Sequence, residues 1–313
     1  MKKYIAILLA AAMATLGLSA CRKENSNKET KVQKDSDIKV VTTIFPEYDW
    51  VRQIAGEEAD QMDITMLLDN GVDLHSYQPT AEDIMKVSDC DLFVYVGGES
   101  DAWVDDALKQ AKNKDMQVVN LLDVLGNSVK EEEEPEYDEH VWLSVKNAEV
   151  LSKAIADALE KADPDHKDIY QENASAYSEK LKDLDAKYQE VVDGASQKTL
   201  LFGDRFPFRY LVDDYGLSYY AAFVGCSAES EASFDTISFL ANKVDELGLK
   251  DIMAIENSNQ KIAKTIIENT KEKNQKILTL DTMQSTTSDD VKNGTTYLSV
   301  MEKNLEVLKE ALQ

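Results

Sequence analysis

The chain has 313 residues and a formal net charge of −25, because 59 acidic residues outnumber 34 basic ones. This excess of carboxylates excludes a protein that binds nucleic acid or an anionic surface through basic patches. With only three cysteines, the composition predicts neither a disulfide framework nor a cysteine-rich zinc site. The length is sufficient for two domains of ordinary size.

Residues 1–20 predict a bacterial lipoprotein signal peptide. Two lysines precede an apolar stretch that is too short for a transmembrane anchor, and the stretch ends in LSAC, with Cys21 as its last residue. Cleavage before Cys21 and lipidation of that residue would tether the chain to a membrane; an ordinary secretory signal followed by a chance cysteine is the alternative. Residues 21–37 are polar, without apolar periodicity, and predict a flexible tether.

Residues 38–145 predict an α/β lobe. The apolar runs KVVTTIF, DITMLL, DLFVYV and QVVNLL alternate with the helical patterns PEYDWVRQIAG, TAEDIMKVSD and SDAWVDDALKQAK. Thr80 and Ser100 are predicted to be helix N-caps, and Cys90, which precedes an apolar strand, is predicted to be a small core residue. Such a βαβα series favours a mostly parallel sheet with helices on both faces.

Residues 146–195 predict a helical region, and residues 196–313 predict a second α/β lobe. From about Pro164 to Val192, apolar residues recur at helical spacing, so that this helix would span ~40 Å at ~1.5 Å per residue. The predicted fold class is therefore α/β. It has two similar lobes, each a mostly parallel sheet flanked by helices, joined by one long rigid α-helix.

Two of the three histidines stand in settings suited to ligand binding. His75 lies between a predicted strand and a helix, and ligands of open α/β sheets bind at the carboxyl ends of the strands. His140 lies just before the helical region. Neutral imidazole is the commonest side-chain ligand of borderline divalent metals. His166, at the start of the long helix, is predicted to be structural.

Four segments in the same order, GVDLHSYQPTAEDI, EYDEHVWLSVKNAEVL, FRYLVDDYGL and TTYLSVMEKNLEVLKEAL, resemble the solute-binding lipoproteins of zinc and manganese ABC importers (cluster A-I type). The resemblance covers the chain from about Lys39. It implies a monomeric receptor, not an enzyme, that carries Zn²⁺, or Mn²⁺ as second choice, between its lobes to an ABC permease and its ATPase. It also implies a place on the outer face of the cytoplasmic membrane, held by the lipid on Cys21, or facing the periplasm if the source has an outer membrane.

The resemblance also implies a set of metal ligands. His75 and His140 match the two histidine ligands of the family's N-terminal lobe, and Asp281 matches an aspartate that follows the last strand. Two imidazoles and two carboxylates suit Zn²⁺ and also Mn²⁺ or Fe²⁺.

The remaining ligand position departs from the family. The family places a histidine or glutamate there, but this chain has Arg205, which is always protonated and has no lone pair to donate. We expect the neighbouring Asp204 to supply the missing oxygen; a thiolate from Cys226, or water, is the alternative. Arg205 is expected to pair with a carboxylate, and Glu256 is the candidate.

Three rival functions remain open: a zinc hydrolase, a receptor for an organic solute or metal chelate, and a surface adhesin in which the metal is only structural. A zinc hydrolase would need a general base beside an open coordination position, and the chain has no HExxH motif, nucleophile elbow or phosphate loop. A receptor for an organic solute or metal chelate would use arginine and aromatic side chains such as Arg205, Arg209 and Tyr210. The acidic run at 131–139 is predicted to be a solvated loop, or else a weak collector of cations.

Overall fold

The computed structural model describes residues 38–131, 137–223, 225 and 231–313. Its strands form two four-stranded parallel sheets. The strands are β1 (Lys39–Thr42), β2 (Asp63–Met66), β3 (Leu92–Tyr95), β4 (Gln117–Asn120), β5 (Thr199–Phe202), β6 (Ser218–Ala221), β7 (Asp251–Ile255) and β8 (Lys276–Leu280). One sheet has the order β2-β1-β3-β4 and the other β6-β5-β7-β8, so the second sheet repeats the topology of the first. The predicted pair of similar lobes with parallel sheets is confirmed.

Helices cover both sheets and link them. They are α1 (Phe45–Ala55), α2 (Ala81–Asp89), α3 (Val104–Lys109), α4 (Leu121–Leu125), α5 (Val145–Ala162), α6 (Lys167–Gly194), α7 (Arg209–Asp214), α8 (Phe234–Leu247), α9 (Lys261–Asn269), α10 (Ser288–Lys292) and α11 (Tyr297–Ala311). Within the residues described, none of these helices is long and apolar enough to cross a membrane.

The long helix α6 joins the two lobes, as the sequence predicts. Its 28 residues correspond to ~42 Å at ~1.5 Å per residue. The side chains at the predicted apolar positions are buried, among them Tyr170, Tyr177 and Tyr188, and they pack in one core with α1, α5 and α11. The Tyr188 hydroxyl donates a 2.6 Å hydrogen bond to the backbone oxygen of Met301 in α11. This helix therefore contacts elements from both ends of the chain.

The two predicted helix caps have different outcomes. Thr80 caps α2, because its hydroxyl accepts from the backbone N–H of Asp83. The prediction for Ser100 is wrong, because α3 begins at Val104 and the residue at its N-cap is Trp103. Ser100 lies instead in an irregular segment after β3, and its hydroxyl has another partner, described below. Cys90 is fully buried, as predicted.

Several predicted features lie outside the residues that the structure describes. They are the signal peptide, Cys21, the tether, Cys226 and residues 132–136 of the acidic run. The described candidate site residues follow strands or lie in turns at the carboxyl edges of the sheets. In parallel sheets with these strand orders, the crevice at the carboxyl ends of the strands is the usual place for a ligand.

Candidate metal centre

His75 is held in a short turn between β2 and α2. Asp73 precedes this turn, and its Oδ1 accepts a 3.0 Å hydrogen bond from the backbone N–H of His75. The neighbouring Leu74 is 1% exposed and anchors the turn in the core of the lobe. The His75 side chain itself is 28% exposed, so the imidazole stands at the wall of the crevice rather than inside the core.

His140 is held more deeply, in a turn whose next three residues, Val141 to Leu143, are buried. Its Nδ1 lies 2.8 Å from Oδ1 of Asp138, and the same oxygen accepts from the backbone N–H of His140 at 2.9 Å. Because an ionised carboxylate only accepts hydrogen bonds, this contact favours a proton on Nδ1. Nε2 of a neutral His140 then carries a lone pair.

The two imidazoles meet edge to edge. The Nε2 atoms of His75 and His140 are 3.2 Å apart, and the ring planes are inclined by 53°. With Zn–N bonds of ~2.0–2.1 Å and tetrahedral angles, two zinc-bound nitrogens would stand ~3.3 Å apart. Two nitrogen lone pairs would repel each other at this distance. Either a proton on one of the two nitrogens or a metal ion bound by both must therefore lie between them. The separation therefore fits a hydrogen bond between the two rings and also fits a shared zinc ion.

The two candidate aspartates of the second lobe lie at strand ends. Asp204 follows β5, and its two carboxylate oxygens accept from the backbone N–H groups of Arg205 at 2.9 Å and Ile255 at 3.5 Å. Asp281 follows β8, and its Oδ1 accepts from the backbone N–H of Met283 at 2.8 Å. Burial raises the pKa of the Asp281 carboxyl above its ordinary value. A bound cation would favour the ionised form and so oppose this shift.

Arg205 pairs with a carboxylate as expected, but Glu256 as its partner is wrong. Nη1 of Arg205 lies 3.2 Å from Oδ2 of Asp73, the residue that holds the His75 turn. Glu256 instead accepts from the backbone N–H of Thr282 at 2.8 Å and from the Thr282 hydroxyl. Burial, followed by the charge of Asp281, raises the pKa of the Glu256 carboxyl. Which acidic residue would meet Arg205 could not be predicted from the sequence, because Asp73 is 132 positions away.

Further hydrogen bonds join the His140 turn to the second lobe. Nε1 of Trp142 donates to the backbone oxygen of Thr282 at 2.9 Å, and the Tyr210 hydroxyl donates to the backbone oxygen of Asp138 at 2.8 Å. The Tyr297 hydroxyl donates to the backbone oxygen of Trp142 at 2.8 Å. The turn that carries His140 is thus fixed to both lobes.

The chain also matches a known protein family over nearly all of its described length. The family described as "zinc-uptake complex component A periplasmic" (ZnuA) matches residues 40–311. The chain belongs to the ZnuA family. The high-affinity zinc uptake system protein ZnuA of Bacillus subtilis is 30% identical over 99% of this chain and 98% of its own length. The resemblance noted from the sequence motifs is confirmed at the level of the family.

A further relative, from Streptococcus pneumoniae, matches both in sequence and in solved structure. The zinc-binding lipoprotein AdcA is 35% identical over 98% of this chain, but the chain spans only 61% of the length of AdcA. The Zn(II)-bound crystal structure of the ZnuA-like domain of AdcA superposes with a TM-score of 0.73 and 33% identity, over 88% of this chain and 99% of that domain. The two-lobed fold is therefore the fold of a ZnuA-like domain.

In this ZnuA-family chain the structure brings together two of the four predicted ligands. Among residues 38–131, 137–223, 225 and 231–313, no group of three or more His, Cys, Asp or Glu side chains is arranged to hold a metal ion. His75 and His140 form a close pair, whereas Asp204 and Asp281 do not join them in such a group. No role was predicted for Asp73 or Asp138. The position of Asp138 two residues before His140 could have suggested that its carboxylate supports the imidazole, as it does in the structure.

Proposed function

We propose that this chain is an extracytoplasmic receptor that captures Zn²⁺ and delivers it to an ABC-type importer. The single observation that carries the proposal is the 3.2 Å separation of the Nε2 atoms of His75 and His140, with a carboxylate on Nδ1 of His140. Family membership supports the same function, because the matching family is a zinc-uptake component. Mn²⁺ is the alternative cargo, because affinity order alone does not determine the physiological ion.

The proposed remaining ligands are Asp204 and Asp281. Asp204 precedes Arg205, which contacts the His75 turn through Asp73. Asp281 precedes Thr282, whose backbone oxygen accepts from Trp142 in the His140 turn. Each aspartate is therefore one residue away from a contact with one histidine turn, which supports the proposal that its carboxylate binds the ion. Cys226 or water remains the alternative to Asp204.

In this proposal the chain is a receptor anchored to a membrane and is not an enzyme. Lipid on Cys21 would hold it at the outer face of the cytoplasmic membrane, or facing the periplasm, with residues 21–37 as the tether. Residues 38–145 and 196–313 would be the two lobes, with 146–195 as the helical region between them. A permease and its ATPase would be the partners of a monomeric receptor.

The contact made by Arg205 helps to decide between a metal-ion receptor and the main alternative function, a receptor for an organic solute or chelate. Such a receptor would use this guanidinium to bind an anionic group of the solute. The guanidinium instead contacts Asp73 at 3.2 Å, which favours the metal ion as cargo.

The test is metal binding by chelator-treated protein. We expect one Zn²⁺ per chain in calorimetric titration, and a loss of affinity of at least ~10-fold for His75→Ala and for His140→Ala, at ~1.4 kcal/mol per decade. His166→Ala is the matched control, because His166 pairs with Asp163 at the start of α6. If both crevice variants bind zinc like the unaltered protein, the proposed site is refuted.

A further inference from the structure

Ser100 contacts the imidazole of His75 on the side away from His140. Its hydroxyl oxygen lies 2.9 Å from Nδ1 of His75. Ser100 follows β3 in an irregular segment that includes Gly97 and Gly98, both with positive φ angles of 95° and 80°. Ser100 lies four residues before the start of α3, so its hydroxyl is available to the histidine rather than to the helix N-terminus.

Glu139 holds Ser100 in this place. Its Oε1 accepts a 2.9 Å hydrogen bond from the backbone N–H of Ser100. The carboxylate lies directly over Gly98, where a Cβ atom would collide with it. Glu139 is 5% exposed, and therefore its position is determined by these contacts rather than by solvent.

The other oxygen of Glu139 faces His75. Oε2 is buried and has no hydrogen-bond partner among the described residues, but it lies 3.6 Å from Nδ1 of His75. A buried carboxylate oxygen without a hydrogen bond is unfavourable unless a positive or polarised group stands near it. An N–H on Nδ1 would be such a group once a cation occupies Nε2, and the cation would make that N–H more acidic.

We propose that Ser100 and Glu139 are positioning residues for His75, which keep the proton on Nδ1 and direct the Nε2 lone pair toward the ion. This inference rests on the proposed function of His75 as a zinc ligand. Asp138 supports His140 in the same way at 2.8 Å, so consecutive acidic residues support different histidines. One turn of the chain thereby orients both imidazoles.

The test combines zinc affinity with a spectroscopic signal of the imidazole. The chain has only three histidines, so the ring ¹H–¹⁵N signals of His75 can be assigned by substitution. In zinc-loaded protein we expect a slowly exchanging Nδ1–H signal from His75. Glu139→Gln and Ser100→Ala should each speed the exchange of this proton and weaken zinc binding ~10-fold, within the range for residues that support metal ligands.

Two further variants separate positioning from general stability. Ser100→Thr retains the hydroxyl and should preserve most of the affinity and the slow exchange. Glu47→Gln is the matched control, because Glu47 is a fully buried acid whose described hydrogen bonds go to Thr43 and Ile44, not to His75. It should leave the His75 signal and the zinc affinity unchanged.

The outcomes distinguish this inference from the proposed function. If His75→Ala binds zinc normally, the proposed function fails first. If His75→Ala abolishes tight binding while Glu139→Gln and Ser100→Ala keep both the slow proton exchange and an affinity within twofold of the unaltered protein, only the positioning role is overturned. An equal loss in Glu47→Gln would also overturn it, because the effect would then come from burial alone.

Discussion

Arg205 and Asp73 form an ion pair between the two lobes, with Nη1 and Oδ2 3.2 Å apart. Asp73 also accepts the backbone N–H of His75 through its other oxygen. The two oxygens of one carboxylate therefore connect the Arg205 guanidinium to the His75 turn. A fixed positive charge of the second lobe thus lies next to the turn that carries a proposed metal ligand.

We expect Arg205→Gln and Asp73→Asn each to weaken zinc binding several-fold, because the His75 turn loses its link to the second lobe. The double variant should lose less than the sum of the single losses, with a coupling of about 1 kcal/mol, since the two side chains are only partly exposed. Titration calorimetry of the four proteins measures this cycle. Additive losses would show that the two side chains affect zinc binding independently and not as a pair.

Asp204→Ala and Asp281→Ala should weaken zinc binding to a similar extent, because each would remove one anionic oxygen donor. As a single change, Arg205→His also removes the contact with Asp73, so it should weaken binding about as much as Arg205→Gln if Asp204 is a ligand. It should bind zinc more tightly than Arg205→Gln if water completes the site, because the imidazole could then take that position. Cys226→Ser should weaken zinc selectively relative to manganese if a thiolate is involved. A silent Asp204→Ala would remove Asp204 from the proposed ligand set.

Zinc should stabilise the folded chain, because the ion binds a site that the unfolded chain lacks. At a free ion concentration ~100 times the dissociation constant, the expected gain is ~2.7 kcal/mol. Thermal unfolding of chelator-treated protein with and without Zn²⁺ measures it, and His75→Ala should abolish most of the shift. An equal shift in that variant would place the stabilising ion elsewhere.

Stability should also depend on pH through Asp49. Burial raises the pKa of Asp49 to about 6, although its carboxylate accepts a 3.0 Å hydrogen bond from the backbone N–H of Tyr297. Between about pH 4 and 6 the folded chain therefore keeps a proton on Asp49 that the unfolded chain has released. The free energy of unfolding falls as pH rises through that range, because the buried carboxyl must then ionise. Asp49→Asn should gain stability relative to the unaltered protein on going from pH 4.5 to 7, by about 2 kcal/mol.

Asp83 serves as a control for this measurement, because its pKa is shifted in the opposite direction to that of Asp49. Hydrogen bonds from Thr80 hold the pKa of Asp83 below its ordinary value, although partial burial acts against them. Its stabilising contribution is present above the pKa of the unfolded chain and is lost as pH falls. Asp83→Asn should therefore cost stability at pH 7 and less at low pH, as urea unfolding at several pH values would measure. Parallel pH profiles for both variants would contradict the assignment.

Regular periodicity made the fold predictable, whereas the contacts of the site depended on three-dimensional arrangement. Apolar runs and helical spacing predicted the strands and α6, because their burial depends on local pattern. Ser100 was assigned to a helix cap because the residues after it have helical character, but the helix begins only at Val104. The partner of Arg205 was one of 59 acidic residues, and only the folded chain identifies it as Asp73.

The helix α6 has a consequence for the size of any cargo. It packs against α1 and α5 on one part of its length and against α11 on another, and the Tyr188 hydroxyl fastens it to Met301. These contacts along α6 therefore fix the distance between the two lobes. We expect a bulky molecule to enter only by breaking contacts between the lobes, such as the hydrogen bond from Trp142 to Thr282, whereas a bare ion would not need this. Size should then select the cargo before the choice among metals does.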